Sequence, residues 1–280
     1  MMIGVVGLGL IGGSMAKAIN SLDDHSVYGY DTDQTVVREA VLLGAIEEEL
    51  REELIPMCDM IIIALYPRDT VAFVEKYRHD IKKGSVIMDT CGVKQCVWDG
   101  IVPIAEEEGF WFVGCHPMAG IEHGGFAYSK KSMFSNASVI LLPQTGTPIE
   151  IANIPKQLVK EIGFTNCEIC EPDKHDRIIA YTSQLPHVLS SAFIKSPTAR
   201  ENHGFTGGSY DDMTRVANMN EVMWTELFLE NAENLADEID ALIGNLQQYS
   251  DAIRANDEDT LCALLREGRE LKTEIDKKPF

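Results

Sequence analysis

Several groups of residues have the types and spacing to do chemistry. Gly7, Gly9 and Gly12 form a Gly-x-Gly-x-x-Gly turn with Leu8, Leu10 and Ile11 between them, and Asp31 follows 19 residues after Gly12. The first glycine permits a tight turn, the second leaves room for a pyrophosphate, and the third lets helix and strand approach closely. Phosphates then meet a helix N-terminus. The Asp31 carboxylate can accept hydrogen bonds from adenosine ribose hydroxyls and would repel a 2′-phosphate, which favours NAD over NADP. FAD uses the same fingerprint. Leu65, Pro67 and Thr90, near the ends of the next two apolar runs, complete the expected cofactor-binding set. A second group comprises Asp89-Thr90-Cys91-Gly92-Val93-Lys94 and Cys115-His116-Pro117-Met118-Ala119-Gly120-Ile121-Glu122, each placed after a strand-like run. Ligands of open α/β sheets lie beyond the carboxyl ends of the strands, so His116 is a candidate proton acceptor there. Pro117 and Gly120 are expected to hold a rigid turn after it. His187, after Pro186, and Arg215, after Gly207-Gly208, lie further along the chain.

The elements that must position these residues follow from the apolar pattern. Residues 2–6 form an apolar strand, the glycines turn the chain, and Met15 to Ile19 continue as helix. A second strand ends at Asp31, and a second helix closes at Gly44. Strands are predicted over Met60 to Leu65, Val86 to Asp89, Phe110 to Cys115, Ser138 to Leu142 and residues 165–171, with helices between them. Such alternation predicts an α/β fold with a parallel, doubly wound sheet of the Rossmann type. From Pro172 onward apolar residues recur only at helical spacing, so an NAD-binding domain over 1–171 and an all-helical domain over 172–280 are expected. Leu227, Leu235, Ile239, Leu242, Leu246 and Ile253 share one face from Asn218 to Ala255, and Leu261, Leu264, Leu265, Leu271 and Ile275 repeat the pattern. These stripes predict a shared core in a homodimer.

Composition narrows the partners. The chain has 24 Lys and Arg against 44 Asp and Glu, a net charge of −20, which repels nucleic acid and anionic lipid. The same field opposes an anionic substrate, so local cations must hold one. No window is long and apolar enough for a membrane helix, and the N-terminus lacks a signal-peptide pattern, so a cytoplasmic location is expected. The seven cysteines, including the Cys167 and Cys170 pair, read as reduced packing residues, and no metal site is expected.

The segments GLGLIGGS, HPMAG, QLPH and Gly207-Gly208-Ser209-Tyr210-Asp211-Asp212-Met213-Thr214-Arg215 resemble the prephenate/arogenate dehydrogenase family nearly end to end. The resemblance implies NAD-dependent oxidative decarboxylation of prephenate to 4-hydroxyphenylpyruvate in tyrosine biosynthesis, without a metal; arogenate is the alternative substrate, giving tyrosine directly. It implies that His116 takes the proton of the ring hydroxyl, that His187 contacts substrate, and that Arg215 grips a carboxylate. It further implies that Asp212 and Glu122 pair with that arginine, that Trp224 reaches the neighbouring subunit's site across a dimer, and that Lys94 assists with charge.

Two positions depart from the family pattern. Gly92 stands where many members carry a serine that helps orient the histidine. Gln184 replaces a histidine near the substrate, a position on which the choice between prephenate and arogenate turns. No additional C-terminal regulatory domain is expected, nor an allosteric tyrosine site outside the active site. A β-hydroxyacid dehydrogenase would share the architecture, but no segment fits its catalytic lysine motif. An NAD-sensing regulatory module would not need the polar set of His116, His187 and Arg215.

Overall fold

The computed structural model describes residues 1–121 and 123–277. Its contacts divide the chain into two compact units, residues 1–231 and the part from Ala232 onward.

The first unit is built on an eight-stranded sheet in the order β3-β2-β1-β4-β5-β6-β7-β8. The strands are β1 (Met2–Val6), β2 (Ser26–Tyr30), β3 (Glu48–Glu49), β4 (Met60–Ile63), β5 (Val86–Asp89), β6 (Trp111–Met118), β7 (Ser138–Pro143) and β8 (Asn166–Ile169). Helices α1 (Leu10–Ile19), α2 (Gln34–Leu42), α3 (Pro67–Tyr77), α4 (Gln95–Glu108) and α5 (Ile149–Glu161) alternate with them. The sheet is doubly wound: one apolar cluster, with Met15, Val27 and Met88, and a second, with Ile61, Val97 and Phe112, cover it. One pairing departs from the all-parallel expectation, because β7 runs antiparallel to β6. The pairing also carries β6 three residues beyond Cys115. His116 pairs with Ile140 and Pro117 with Val139, so Pro117 belongs to the strand and not to a turn.

After β8 the first unit continues as α6 (Pro172–Ile179), α7 (Leu185–Phe193), α8 (Gly208–Thr214) and α9 (Glu221–Leu229). The second unit is the pair α10 (Ala232–Ala255) and α11 (Glu258–Asp276). The apolar stripe read as one run from Asn218 to Ala255 is therefore broken at Glu230 and Asn231. The physical reason is Asn231, whose buried amide nitrogen donates to the Asp176 carbonyl at 2.9 Å and to Gln184 Oε1 at 2.8 Å. In the second unit Leu246, Ile253, Leu265, Leu271 and Ile275 are exposed.

The glycine turn behaves as its spacing requires. Gly7 has φ +86°, and a Cβ there would meet the Ala64 carbonyl oxygen at 2.5 Å. A Cβ on Gly12 would lie 1.9 Å from the Gly7 carbonyl oxygen, whereas one on Gly9 would meet nothing within 4 Å. Two of the three glycines thus serve the fold, and the second keeps space open.

Between β5 and β6 lies a buried ion pair. Asp89 Oδ2 and Lys94 Nζ are 2.5 Å apart, and both side chains are at most 1% exposed. Asp89 also accepts the Cys91 and Cys115 amides at 2.9 and 3.1 Å, and Lys94 donates to the Cys115 carbonyl at 2.6 Å. Burial is the largest single influence on Lys94 and opposes its charge, but Asp89 together with Cys91 and Cys115 outweighs it and the pKa is raised.

Gly12→Ala will lower the unfolding free energy by about 2 kcal/mol, the cost of forcing atoms into a filled space. Gly9→Ala will leave it unchanged but raise the Kd for the dinucleotide at least about tenfold; calorimetric melting and titration separate the two effects, and equal melting losses would contradict the assignment. Lys94→Met will cost about 3–5 kcal/mol in urea unfolding by stranding a buried carboxylate, and a loss under about 1 kcal/mol would show that the pair is not structural.

Candidate active site

The dinucleotide end is set by β1, α1 and β2. Helix α1 begins at Gly9 with no side-chain cap, so its first amides are available to an anion. Asp31 directly follows β2 with its carboxylate fixed, Oδ2 accepting the Leu8 amide and Oδ1 the Asp33 amide, each at 2.9 Å. Each oxygen retains a lone pair for a ribose hydroxyl. The Leu8 side chain itself is core, so its part is that of its backbone. Leu10 and Ile11 form the partly exposed first turn of α1, and Leu65, partly buried, packs under Gly7. Pro67 is the buried first residue of α3, and the Thr90 amide donates to the Ile63 carbonyl at 3.1 Å. The open space at Gly9, the uncapped helix and the tethered acid together fit NAD.

The reaction end lies at the carboxyl edge of β5 and β6. His116 is half-buried, with its two ring nitrogens facing opposite ways. Nδ1 lies 2.9 Å from Nε2 of His175, on α6. Nε2 faces Gly92: a Cβ built there would stand 3.9 Å from it and 3.6 Å from both methyls of Leu227, on α9. Burial, with smaller contributions from His175 and Lys94, holds the His116 pKa well below the ordinary 6.5. His175 is buried and its Nδ1 is 2.7 Å from Asp176 Oδ1. Its pKa is lowered by burial, against the pull of Asp176. Asp176 in turn accepts the amides of Lys94 and Gln95, both at 2.8 Å, and so caps α4.

A second histidine is positioned by a widened turn. Residues Ala180–Gln184 form a π-helical turn leading into α7, where Pro186 contributes no N–H. His187 Nδ1 donates to the Ser183 carbonyl at 2.8 Å, and its ring stacks on Trp224 with centroids 3.9 Å apart. Its pKa is lowered, first by burial and also by the charge of Arg215, which brings that exposed guanidinium into the same region. Trp224 and Leu227 are one helical turn apart on α9, so a single helix face contacts His187 with one residue and Gly92 with the other. Helix α9 is held to α3 by Glu226, which accepts the Arg68 amide at 2.9 Å, and by Glu230, which accepts Arg68 Nε at 2.8 Å.

The structure thus gathers Gly92, His116, His187, Trp224 and Arg215 around α6, α7 and α9. Trp224 contacts a histidine of its own chain, where the resemblance implies a contribution to a partner. Asp212 lies exposed on α8, three residues before Arg215. Glu122 lies outside the described residues. Two of the expected substrate contacts turn inward. Lys94 is consumed by Asp89 and the Cys115 carbonyl. Gln184 is buried, donating to the Leu227 carbonyl at 2.8 Å and accepting from Asn231. Both therefore position the elements around the site. Sequence reasoning missed His175, Asp176 and Asn231, and it named Asp89 only within a strand-end segment, without its ion pair to Lys94; the one local signal for the first two was an adjacent His-Asp pair in the helix opened by Pro172. Among the described residues no group of three His, Cys, Asp or Glu could hold a metal ion.

Comparison with known proteins gives the family. Residues 15–166 match the family model "Prephenate dehydrogenase, nucleotide-binding domain", and residues 171–267 match "Prephenate dehydrogenase, dimerization domain". Prephenate dehydrogenase of Bacillus subtilis is 29% identical over 92% of this chain and 71% of its own length. Cyclohexadienyl dehydrogenase of Zymomonas mobilis is 29% identical over 99% of this chain and 98% of its own. The crystal structure of prephenate dehydrogenase from A. aeolicus, in complex with hydroxyphenyl propionate and NAD+, superimposes with a TM-score of 0.86 at 27% identity, covering 98% of both chains. On the match of the nucleotide-binding model to more than half its length, the chain belongs to the prephenate dehydrogenase family.

Proposed function

We propose that this protein is an NAD-dependent prephenate dehydrogenase that converts prephenate to 4-hydroxyphenylpyruvate, with His116 as its base. The observation that carries the role of His116 is its ring: largely buried, kept uncharged by its surroundings, and with one nitrogen directed at the open side of Gly92. NAD+, when bound, supplies the acceptor for a hydride. Gly7, Gly9, Gly12 and the first turn of α1 would hold its phosphates, and Asp31 its ribose. The substrate ring carbon that bears the hydroxyl gives up its hydrogen with the bonding electron pair, while His116 takes the hydroxyl proton. The ring then loses its carboxylate: the bond to CO₂ breaks, its electron pair enters the ring, and the ring becomes aromatic with a phenolic oxygen. His116 returns its proton to that oxygen, so charge and atoms balance without a metal. Arg215 supplies a fork for a substrate carboxylate, against the net charge of −20. His187, held by Ser183 and Trp224, lines the same side.

The division between the nucleotide-binding part and the helical substrate and dimerisation part is placed at 171/172. The exposed apolar stripes of α10 and α11 support a homodimer through these helices. No helix among the described residues is long and apolar enough to cross a membrane, and a cytoplasmic enzyme is proposed. The strongly acidic charge supports the absence of nucleic acid among its partners.

NADH formation measured side by side with prephenate and arogenate tests the reading: prephenate is expected to turn over faster, and no NADH from either would refute it. His116→Asn will lower kcat about 10²- to 10⁴-fold with NAD affinity retained, the range for losing a general base. Because His116 must be uncharged to accept a proton and its pKa is lowered, kcat/KM should rise with pH to a plateau whose midpoint lies below 6.5. A midpoint above that value would assign the base elsewhere. Arg215→Ala will raise KM for prephenate about 10- to 100-fold, as expected for a lost charged hydrogen bond, with a smaller effect on kcat. An unchanged KM would remove Arg215 from the substrate site.

A further inference from the structure

Asp176, His175 and His116 form a continuous line of hydrogen bonds, and its directions can be assigned from one end. The Asp176 carboxylate accepts the backbone amides of Lys94 and Gln95. A carboxylate can only accept, so His175 Nδ1 must carry the proton between them. A neutral His175 then has a bare Nε2, and His116 Nδ1 must be the donor across the 2.9 Å contact. That leaves His116 Nε2 without a proton on the side of Gly92 and Leu227. Burial favours the neutral form of both rings, as this assignment needs.

We infer that His175 and Asp176 are positioning residues for the oxidation: they hold His116 in the Nδ1–H form and aim its bare Nε2 at the substrate hydroxyl. The inference rests on the reading of His116 as the base. Gly92 gives it particular weight in this chain. Gly92 offers no side chain to Nε2, so the bond at Nδ1 carries the orientation of the imidazole among the described residues. The anchor is also rigid, because the carboxylate that orients His175 is the cap of α4, whose first residues follow the buried Lys94. A base in the wrong tautomer would present N–H to a hydroxyl that must give up its own proton, and the reaction would lose its acceptor.

Two substitutions separate orientation from packing. In His175→Asn the amide sits near the position of Nδ1 and can still donate to Asp176, but it cannot reach His116. In His175→Gln the amide oxygen falls near the position of Nε2 and can accept from His116, but the bond to Asp176 is lost. Positioning predicts that His175→Asn lowers kcat about 100-fold while His175→Gln stays within about tenfold of the parent, with KM for prephenate and Kd for NAD+ changed less than about threefold in both. A structural role alone predicts the reverse order, because Asn keeps the link to the helix cap. In the unsubstituted protein with NAD+ bound, ¹⁵N-histidine NMR should show His116 protonated at Nδ1 and bare at Nε2. Equal kcat for the two variants, or an Nε2–H tautomer for His116, would overturn the inference. If either variant fails to fold, the NMR assignment decides alone. If the parent forms no NADH from prephenate or arogenate, the functional reading fails, whereas normal turnover with indifferent His175 variants sinks only the positioning role.

Discussion

A buried lysine and aspartate hold together the edge of the sheet on which the chemistry rests. Asp89 ends β5, Lys94 precedes α4, and both contact Cys115 on β6, one by the amide nitrogen and one by the carbonyl oxygen. The next residue is His116. Removing two charges from water is costly, and such a pair is repaid only when every remaining polar atom is satisfied. Here the amides of Cys91 and Cys115 complete Asp89, and the Cys115 carbonyl shares Lys94. The backbone amide of the same lysine then bonds Asp176, which orients His175. One residue therefore fixes the strand that carries His116 through its ammonium, and the carboxylate behind His116 through its backbone.

The electrostatics of the site follow from this arrangement. The protein is acidic overall, while the groups around the histidines are arranged to keep the imidazoles neutral: burial for all three, a nearby lysine for His116, and a nearby arginine for His187. A neutral base and a separate cation suit a substrate that must lose a hydroxyl proton at one end and is held by a carboxylate at the other. Helix α9 connects the two ends, with Leu227 against Gly92 and Trp224 against His187.

What the sequence made legible was local. The roles of Gly7, Gly9 and Gly12 depend on φ and on Cβ contacts within one turn, and Asp31 sits at a fixed distance along a βαβ unit, so spacing alone identifies them. His116 was found because the end of an apolar strand is a visible place. The remainder depends on long-range contacts. His175 and Asp176 matter only because α6 packs against the start of α4, more than 80 residues earlier in the chain. The break after α9 cannot be read from the apolar stripe, which continues through it; it is caused by Asn231 turning inward to Asp176 and Gln184. Lys94 looks like a ligand-facing cation by its position after a strand, and only the burial of Asp89 beside it shows otherwise. Pro117 reads as a turn residue until β7 pairs with it. For Asp176, Asn231 and Pro117 a partner far along the chain decides; for Lys94 it is an aspartate five residues earlier, whose burial the local pattern does not reveal.

The central claim is spatial: the bare nitrogen of His116 and the guanidinium of Arg215 act on opposite ends of one substrate. A crystal structure of the protein with NAD+ and 4-hydroxyphenylpyruvate tests it most directly. The account predicts the phenolic oxygen at hydrogen-bond distance, about 2.6–3.2 Å, from His116 Nε2, with the side-chain carboxylate on Arg215. A product bound with its phenol away from His116, or with its carboxylate on another cation, would contradict it.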